Sequence, residues 1–112
     1  MAISKINVNR PKIEGLCTWG TYDQVDTEIT LSEPIQNYDM LIFFIGWDHN
    51  TAGKNVITIP RSICSSNMNL ITRIGEIVID VASQKVTIKR IVRNNPLNDV
   101  DGVLRQILGM RF

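Results

Sequence analysis

Residues 76–89 read EIVIDVASQKVTIK and carry the clearest structural signal in the chain. Alternation of apolar and polar residues with a period of two is typical of a β-strand with one buried face. Residues 82–85 form a short polar break between two such runs, so the stretch predicts an antiparallel β-hairpin. The alternation slips after Ile88, because Arg90 stands where an apolar residue is due, which predicts a β-bulge near Lys89. The alternating apolar residues are Ile77, Ile79, Val81, Val86 and Ile88.

Similar signals recur along the rest of the chain. In residues 25–31 the apolar positions share one parity, which predicts a strand with Val25, Ile29 and Leu31 on one face. Residues 55–59 are β-branched apart from the first, and also predict a strand. Residues 40–46, MLIFFIG, are apolar up to a final glycine. This run predicts a central strand covered on both faces, with a buried helix as the rival interpretation.

Turn-forming glycine, proline and asparagine residues separate these runs. We therefore predict an all-β fold, an antiparallel β-sandwich or jelly-roll-like domain of about eight short strands. The length of 112 residues suits one domain, so residues 1–112 are interpreted as a single β-sandwich. Only residues 62–68 and 99–108 could hold a helical turn, and neither has an amphipathic stripe.

The formal charge of +1, from 12 basic and 11 acidic side chains, argues against a nucleic-acid-binding function. The densest basic residues alternate with apolar ones, which predicts a solvated strand face. They are Lys85, Lys89, Arg90 and Arg93. The longest apolar run is far shorter than the roughly 18 residues of a membrane-spanning helix, so no membrane insertion is expected. The first residues lack the apolar stretch of a signal peptide, and folding in a cytoplasm is expected.

Two cysteines, Cys17 and Cys64, match no zinc or redox spacing. We interpret them as free, buried thiols that behave as small hydrophobic side chains, with a disulfide as the alternative.

Catalytic motifs are weak in this sequence. His49 is the single histidine and follows Asp48 in a polar loop, so a metal or acid–base site competes there with a plain loop. Three carboxylates, Asp23, Asp26 and Glu28, could include a glycosidase pair, but Asp26 and Glu28 also fit the solvent side of a strand. The chain has no Gly-x-Ser-x-Gly nucleophile and no phosphate-binding glycine loop. We therefore expect no enzyme, no cofactor and no metal.

The aromatic residues in polar loops are the stronger candidates for binding. Trp19 and Tyr22 precede a predicted strand, and Trp47 follows the most apolar run. Such rings can stack on sugars or anchor a protein interface, or they can simply cover the end of the core. The predicted ligand-binding residues are Trp19, Tyr22, Trp47 and His49.

Residues 31–39, LSEPIQNYD, predict a structural corner between two strands. Pro34 stops ladder pairing, Asn37 can adopt a left-handed turn, and the Tyr38 hydroxyl can pin the turn.

From this corner onward the sequence resembles the C-terminal domains of tailed-bacteriophage tail fibres. The resemblance rests on residues 29–32 (ITLS), 35–39 (IQNYD), the apolar run 40–45 and the ending 104–112 (LRQILGMRF). It covers most of residues 25–112. It departs from the family at the start, where no long shaft precedes the domain, which fits a fragment of a longer fibre or a short tail protein.

The resemblance implies a receptor-binding tip at the end of a virion tail, assembled in the host bacterial cytoplasm. It implies three copies about a threefold axis, contacts with other tail proteins, and attachment to a host surface glycan or outer-membrane protein. No binding residue can be transferred, because the family shares no binding motif. A structural trimerisation or capping domain is the first alternative function, and a small glycan hydrolase is the second.

Overall fold

The structure, a computed structural model, describes residues 11–46, 55–64, 67–72, 75–93 and 103–112. In these ranges eight strands form two four-stranded antiparallel sheets, which confirms the predicted β-sandwich. The strands are β1 (Lys12–Gly15), β2 (Glu28–Thr30), β3 (Met40–Gly46), β4 (Asn55–Pro60), β5 (Met68–Thr72), β6 (Gly75–Ala82), β7 (Lys85–Arg93) and β8 (Val103–Arg111). The first sheet has the order β1-β8-β3-β4 and the second β2-β7-β6-β5.

The hydrophobic core lies between the two sheets and is filled by alternate residues of each strand. In β3, Leu41, Phe43 and Ile45 are fully buried. The position of β3 between β8 and β4 confirms that residues 40–46 form a central strand. On the other face of β3, however, Met40 and Phe44 are only partly buried, which a strand covered on both faces would not show.

The predicted hairpin is confirmed as β6 and β7. Ala82 pairs with Lys85, so Ser83 and Gln84 form a two-residue turn, in which Ser83 has a φ of 54°. The predicted bulge is confirmed as well. The register places Ile79 opposite Ile88 but Val78 opposite Arg90, which leaves Lys89 as the extra residue.

Lys85, Lys89 and Arg90 are exposed, as predicted for a solvated strand face, whereas the side chain of Arg93 lies outside the described part of the chain. Lys85 approaches the Glu28 carboxylate at 3.5 Å, and Arg90 approaches that of Glu76 at 3.0 Å. The cysteines are free thiols, partly buried against the core. Burial raises the pKa of both thiols.

Two sequence predictions need correction. The strand predicted over residues 25–31 is only Glu28–Thr30, because Asp26 adopts a φ of 69° in a turn and leaves Val25 half exposed. In the segment 62–68, which could hold a helical turn, the structure has a single 3-10 turn at Arg61–Ile63. Strand β5 begins at Met68 and was not predicted from the sequence. Residues 103–108 belong to β8 and not to a helix, whereas 99–102 lie outside the described residues.

No helix among the described residues has the length and hydropathy needed to cross a bilayer.

Candidate functional site

The loop between β1 and β2 continues along β8 and brings Trp19 to the sheet. The backbone N–H of Gly20 donates to the Arg105 carbonyl at 3.0 Å. Tyr22 and Leu104 exchange two backbone hydrogen bonds of 3.2 Å each. A β-carbon at position 20 would lie 2.6 Å from the Tyr22 ring carbon Cζ, so the Tyr22 ring packs directly on the glycine and would have to shift to accommodate a side chain there.

A β-bulge in β8 turns Arg105 towards this loop. Ile45 of β3 lies opposite Leu104, but Phe44 lies opposite Gln106, so Arg105 is the extra residue. The bulge lets both Leu104 and Ile107 face the core, where both are fully buried. As the extra residue of the bulge, Arg105 does not follow the in–out alternation of the strand, and its side chain extends to the loop.

Trp19 is held between a cation and a second aromatic ring. The Arg105 guanidinium carbon lies 5.2 Å from the Trp19 ring centroid, within the range of a cation–π interaction. The Trp19 and Phe44 centroids are 6.2 Å apart with an interplanar angle of 61°, an edge-to-face contact. Arg105 Nη1 also donates to Thr21 Oγ1 at 2.8 Å. These four residues, Trp19, Thr21, Phe44 and Arg105, are called here the Trp19 surface.

Exposure separates the predicted aromatic candidates. The Trp19 residue is 47% exposed, although its ring contacts both Arg105 and Phe44. Tyr22 is partly buried and packs against the core, and this burial raises its pKa. Tyr22 therefore covers the end of the core, whereas about half of Trp19 remains accessible to solvent. Trp47, Asp48 and His49 lie outside the described residues.

The three candidate carboxylates have different surroundings. Glu28 is exposed on the outer face of the second sheet beside Lys85, as the alternation of apolar and polar residues over 25–31 predicted. Asp26 is exposed in the turn that precedes β2, whereas Asp23 is partly buried. Across the described residues, no group of three or more histidine, cysteine, aspartate or glutamate side chains could hold a metal ion.

The corner predicted at residues 31–39 contains a polar network around Tyr38. The Tyr38 hydroxyl donates at 2.6 Å to Glu33, within the same corner, as the sequence predicted. It also lies 3.1 Å from a carboxylate oxygen of Glu14 in β1. The other Glu14 oxygen accepts from Arg111, whose guanidinium carbon is 5.3 Å from the Tyr38 ring centroid. The Arg61 Nε–H donates to the Tyr38 carbonyl at 2.7 Å.

This network stabilises the fold and is poorly suited to acid–base catalysis. The hydrogen bond from Arg111 lowers the pKa of Glu14, and the one from Tyr38 lowers that of Glu33. Burial and the two adjacent carboxylates raise the pKa of Tyr38. A glycosidase needs one carboxylic acid with a raised pKa, whereas both carboxyl groups here are held ionised.

Sequence reasoning missed Arg105, Glu14 and Arg111. The irregular position of Arg105 could have been inferred from the sequence. Leu104 and Ile107 are three residues apart, so they cannot share one face of a regular strand. The other two meet only through the pairing of β1 with β8, which joins residues 97 positions apart. No local pattern predicts that pairing.

Comparison with known proteins gives no further assignment. No protein-family model matches the chain, and no curated protein matches its sequence. The fold and the Trp19 surface define the chain as an antiparallel β-sandwich with an exposed aromatic–cation cluster.

The Tyr38 network predicts a loss of stability in acid. A carboxyl group whose pKa is lower in the folded state stabilises that state above its unfolded pKa, and the contribution disappears as pH falls through the folded pKa. For Glu14 and Glu33 this loss is expected below the ordinary carboxyl pKa of 4.5. Urea midpoints at pH 7, 4.5 and 3 should fall less steeply for Glu33→Gln than for the wild type.

The control is Glu28→Gln, which removes an exposed carboxylate paired with Lys85 outside the network. It should keep the acid dependence of the wild type. Equal dependence in all three proteins would contradict this account of the corner.

Proposed function

We propose that this chain is the receptor-binding domain of a bacteriophage tail, which attaches the virion to a glycan on the host cell surface. The observation that carries the proposal is the half-exposed Trp19 ring, positioned by Arg105 and Phe44. The all-β fold and the resemblance of residues 25–112 to tail-fibre ends support it.

The Trp19 surface has the properties that a sugar-binding site needs. The face of an indole ring is electron-rich and attracts the polarised C–H groups of a sugar ring. Contacts with Phe44 and Arg105 restrict the ring before binding, so less conformational entropy is lost when a ligand binds. Guanidinium N–H groups beside the ring are suited to donating hydrogen bonds to sugar oxygens.

The proposal places the domain in the virion tail as a homotrimer that also contacts other tail proteins. A closed assembly removes exposed sheet edges, and several copies on one virion raise the avidity of individually weak sites. A tail protein of this kind needs no cofactor.

Trp19→Ala is expected to weaken binding at least tenfold to an array of purified bacterial surface polysaccharides, because it removes the stacking face. The array measures binding of the wild type and the variant at the same protein concentrations. Ile71→Ala is the matched control, since Ile71 is 67% exposed but lies in β5, on the second sheet. It should bind like the wild type.

Urea midpoints close to that of the wild type would show that both variants are folded. Equal binding by folded Trp19→Ala and wild type would overturn the assignment of this surface. A wild-type protein that binds neither arrayed glycans nor intact bacteria would overturn the receptor-binding proposal.

A further inference from the structure

Arg105 is the charged member of the Trp19 surface and holds the loop at three consecutive residues. Its guanidinium carbon lies 5.2 Å from the Trp19 ring centroid, and its Nη1 donates to Thr21 Oγ1 at 2.8 Å. Its backbone carbonyl accepts from the Gly20 N–H at 3.0 Å. The guanidinium therefore has a defined place beside the half-exposed indole ring.

These contacts differ from those of two other arginines in the described ranges. Arg90 and Arg111 pair with carboxylates of neighbouring strands. The contacts of Arg105 with Thr21 and with the Trp19 ring are made to neutral groups. A hydroxyl and an aromatic ring orient a guanidinium but do not neutralise its charge.

The chemistry of a guanidinium favours an anionic ligand group. Its five N–H donors lie in a planar fork that matches the oxygens of a carboxylate or a phosphate. Thr21 accepts from one donor, so contacts with the protein and with a ligand can coexist on one side chain. A hydrogen bond to a charged acceptor is roughly twice as strong as one to a neutral sugar hydroxyl. Arg105 is partly buried, so its charge is less screened than that of a fully exposed arginine.

We infer that the Trp19 surface selects sugars that carry an anionic group, a carboxylate or a phosphate, over neutral sugars. This inference rests on the proposed function and names the substrate class of that site. The sugar ring contacts the exposed part of the indole, and the anionic group at its edge pairs with the Arg105 guanidinium. The indole supplies contact area that depends little on the charge of the sugar, whereas the ion pair requires an anion. Arg105 is therefore the specificity-determining residue.

The test compares polysaccharides that differ only in charge. Each acidic polysaccharide of the array is presented as isolated, and again after carboxyl reduction to primary alcohols or after removal of its phosphate groups. The wild type is expected to bind the acidic form about tenfold more tightly than its neutralised counterpart. The two treatments show separately whether carboxylates or phosphates are recognised, and the comparison needs no variant.

Arg105→Gln makes the matching change in the protein, because it removes the charge and keeps an amide donor. The ratio of the affinities for the acidic and neutralised forms should fall towards one, even if the loss of the guanidinium also weakens the binding of both. Arg90→Gln is the matched control, since it removes the same charge from β7 in the second sheet. It should discriminate like the wild type, and urea midpoints show that both variants are folded.

Equal binding of acidic and neutralised forms by the wild type overturns this inference and leaves the glycan-binding proposal intact. Discrimination by folded Arg105→Gln equal to that of the wild type also overturns it, because the charge would then be recognised elsewhere. A wild type that binds no arrayed glycan and no intact bacteria overturns the proposed function, and this inference with it.

Discussion

Gly109→Ala is expected to lower the free energy of unfolding by about 3 kcal/mol, because the added methyl group overpacks the core. Gly109 lies in β8 against the ring of Tyr38, which is 1% exposed. A β-carbon at position 109 would stand 2.6 Å from Tyr38 Cγ and 2.7 Å from Cε1, far inside van der Waals contact. The ring cannot move away easily, because its hydroxyl is held by Glu33 at 2.6 Å.

Gly15→Ala is the matched control, since it adds the same methyl group to β1. There the nearest atoms would be Leu108 Cδ2 at 3.9 Å and the Cys17 carbonyl oxygen at 4.0 Å, which are ordinary contacts. Urea unfolding should therefore give nearly the wild-type stability for Gly15→Ala. Similar stabilities for the two variants would show that Tyr38 does not pack on Gly109 as described.

Phe43→Ala is expected to have the largest effect, a loss of about 4 kcal/mol of unfolding free energy. Phe43 is fully buried in the centre of β3, between Ile57 of β4 and Ile107 of β8. Removing its ring loses the transfer free energy of the apolar atoms and leaves a cavity that the two sheets cannot close. Chemical denaturation followed by circular dichroism measures the difference.

Phe112→Ala provides the comparison, because this phenylalanine is 56% exposed at the end of the chain. Its backbone N–H donates to Asp39 Oδ2 at 2.9 Å, and the substitution keeps that donor. We expect a change below about 0.5 kcal/mol, as at most surface positions. A small effect of Phe43→Ala would mean that residue 43 does not face the core.

The receptor proposal and its structural alternative predict different results. Loss of glycan binding in folded Trp19→Ala supports receptor binding through this residue. A folded protein that binds no glycan and no intact bacteria favours a structural capping function.

Features that depend on neighbouring residues could be predicted from the sequence. Alternation identified the β6–β7 hairpin, because a period of two is a local property of a half-buried strand. The slip of that alternation at Arg90 placed the bulge at Lys89. The run over residues 40–46 predicted a central strand, and Tyr38 was correctly expected to pin the corner through its hydroxyl.

Local patterns also produced the errors. Val25, Ile29 and Leu31 are all at odd positions, which would place them on one face of a continuous strand. The backbone is not extended throughout, because Asp26 has a positive φ, so Val25 does not share the face of the other two. Residues 103–108 lack clean alternation because the bulge at Arg105 shifts the phase, so a strand resembled a helical turn.

Contacts between residues far apart in the sequence became known only from the folded structure. Antiparallel pairing of β1 with β8 joins Glu14 to Arg111, and the loop along β8 places Trp19 beside Arg105. Strand pairing in the second sheet also brings Glu28 to Lys85 and Glu76 to Arg90. Such contacts depend on strand order and register, which follow from burying one shared core and not from the sequence of any single strand.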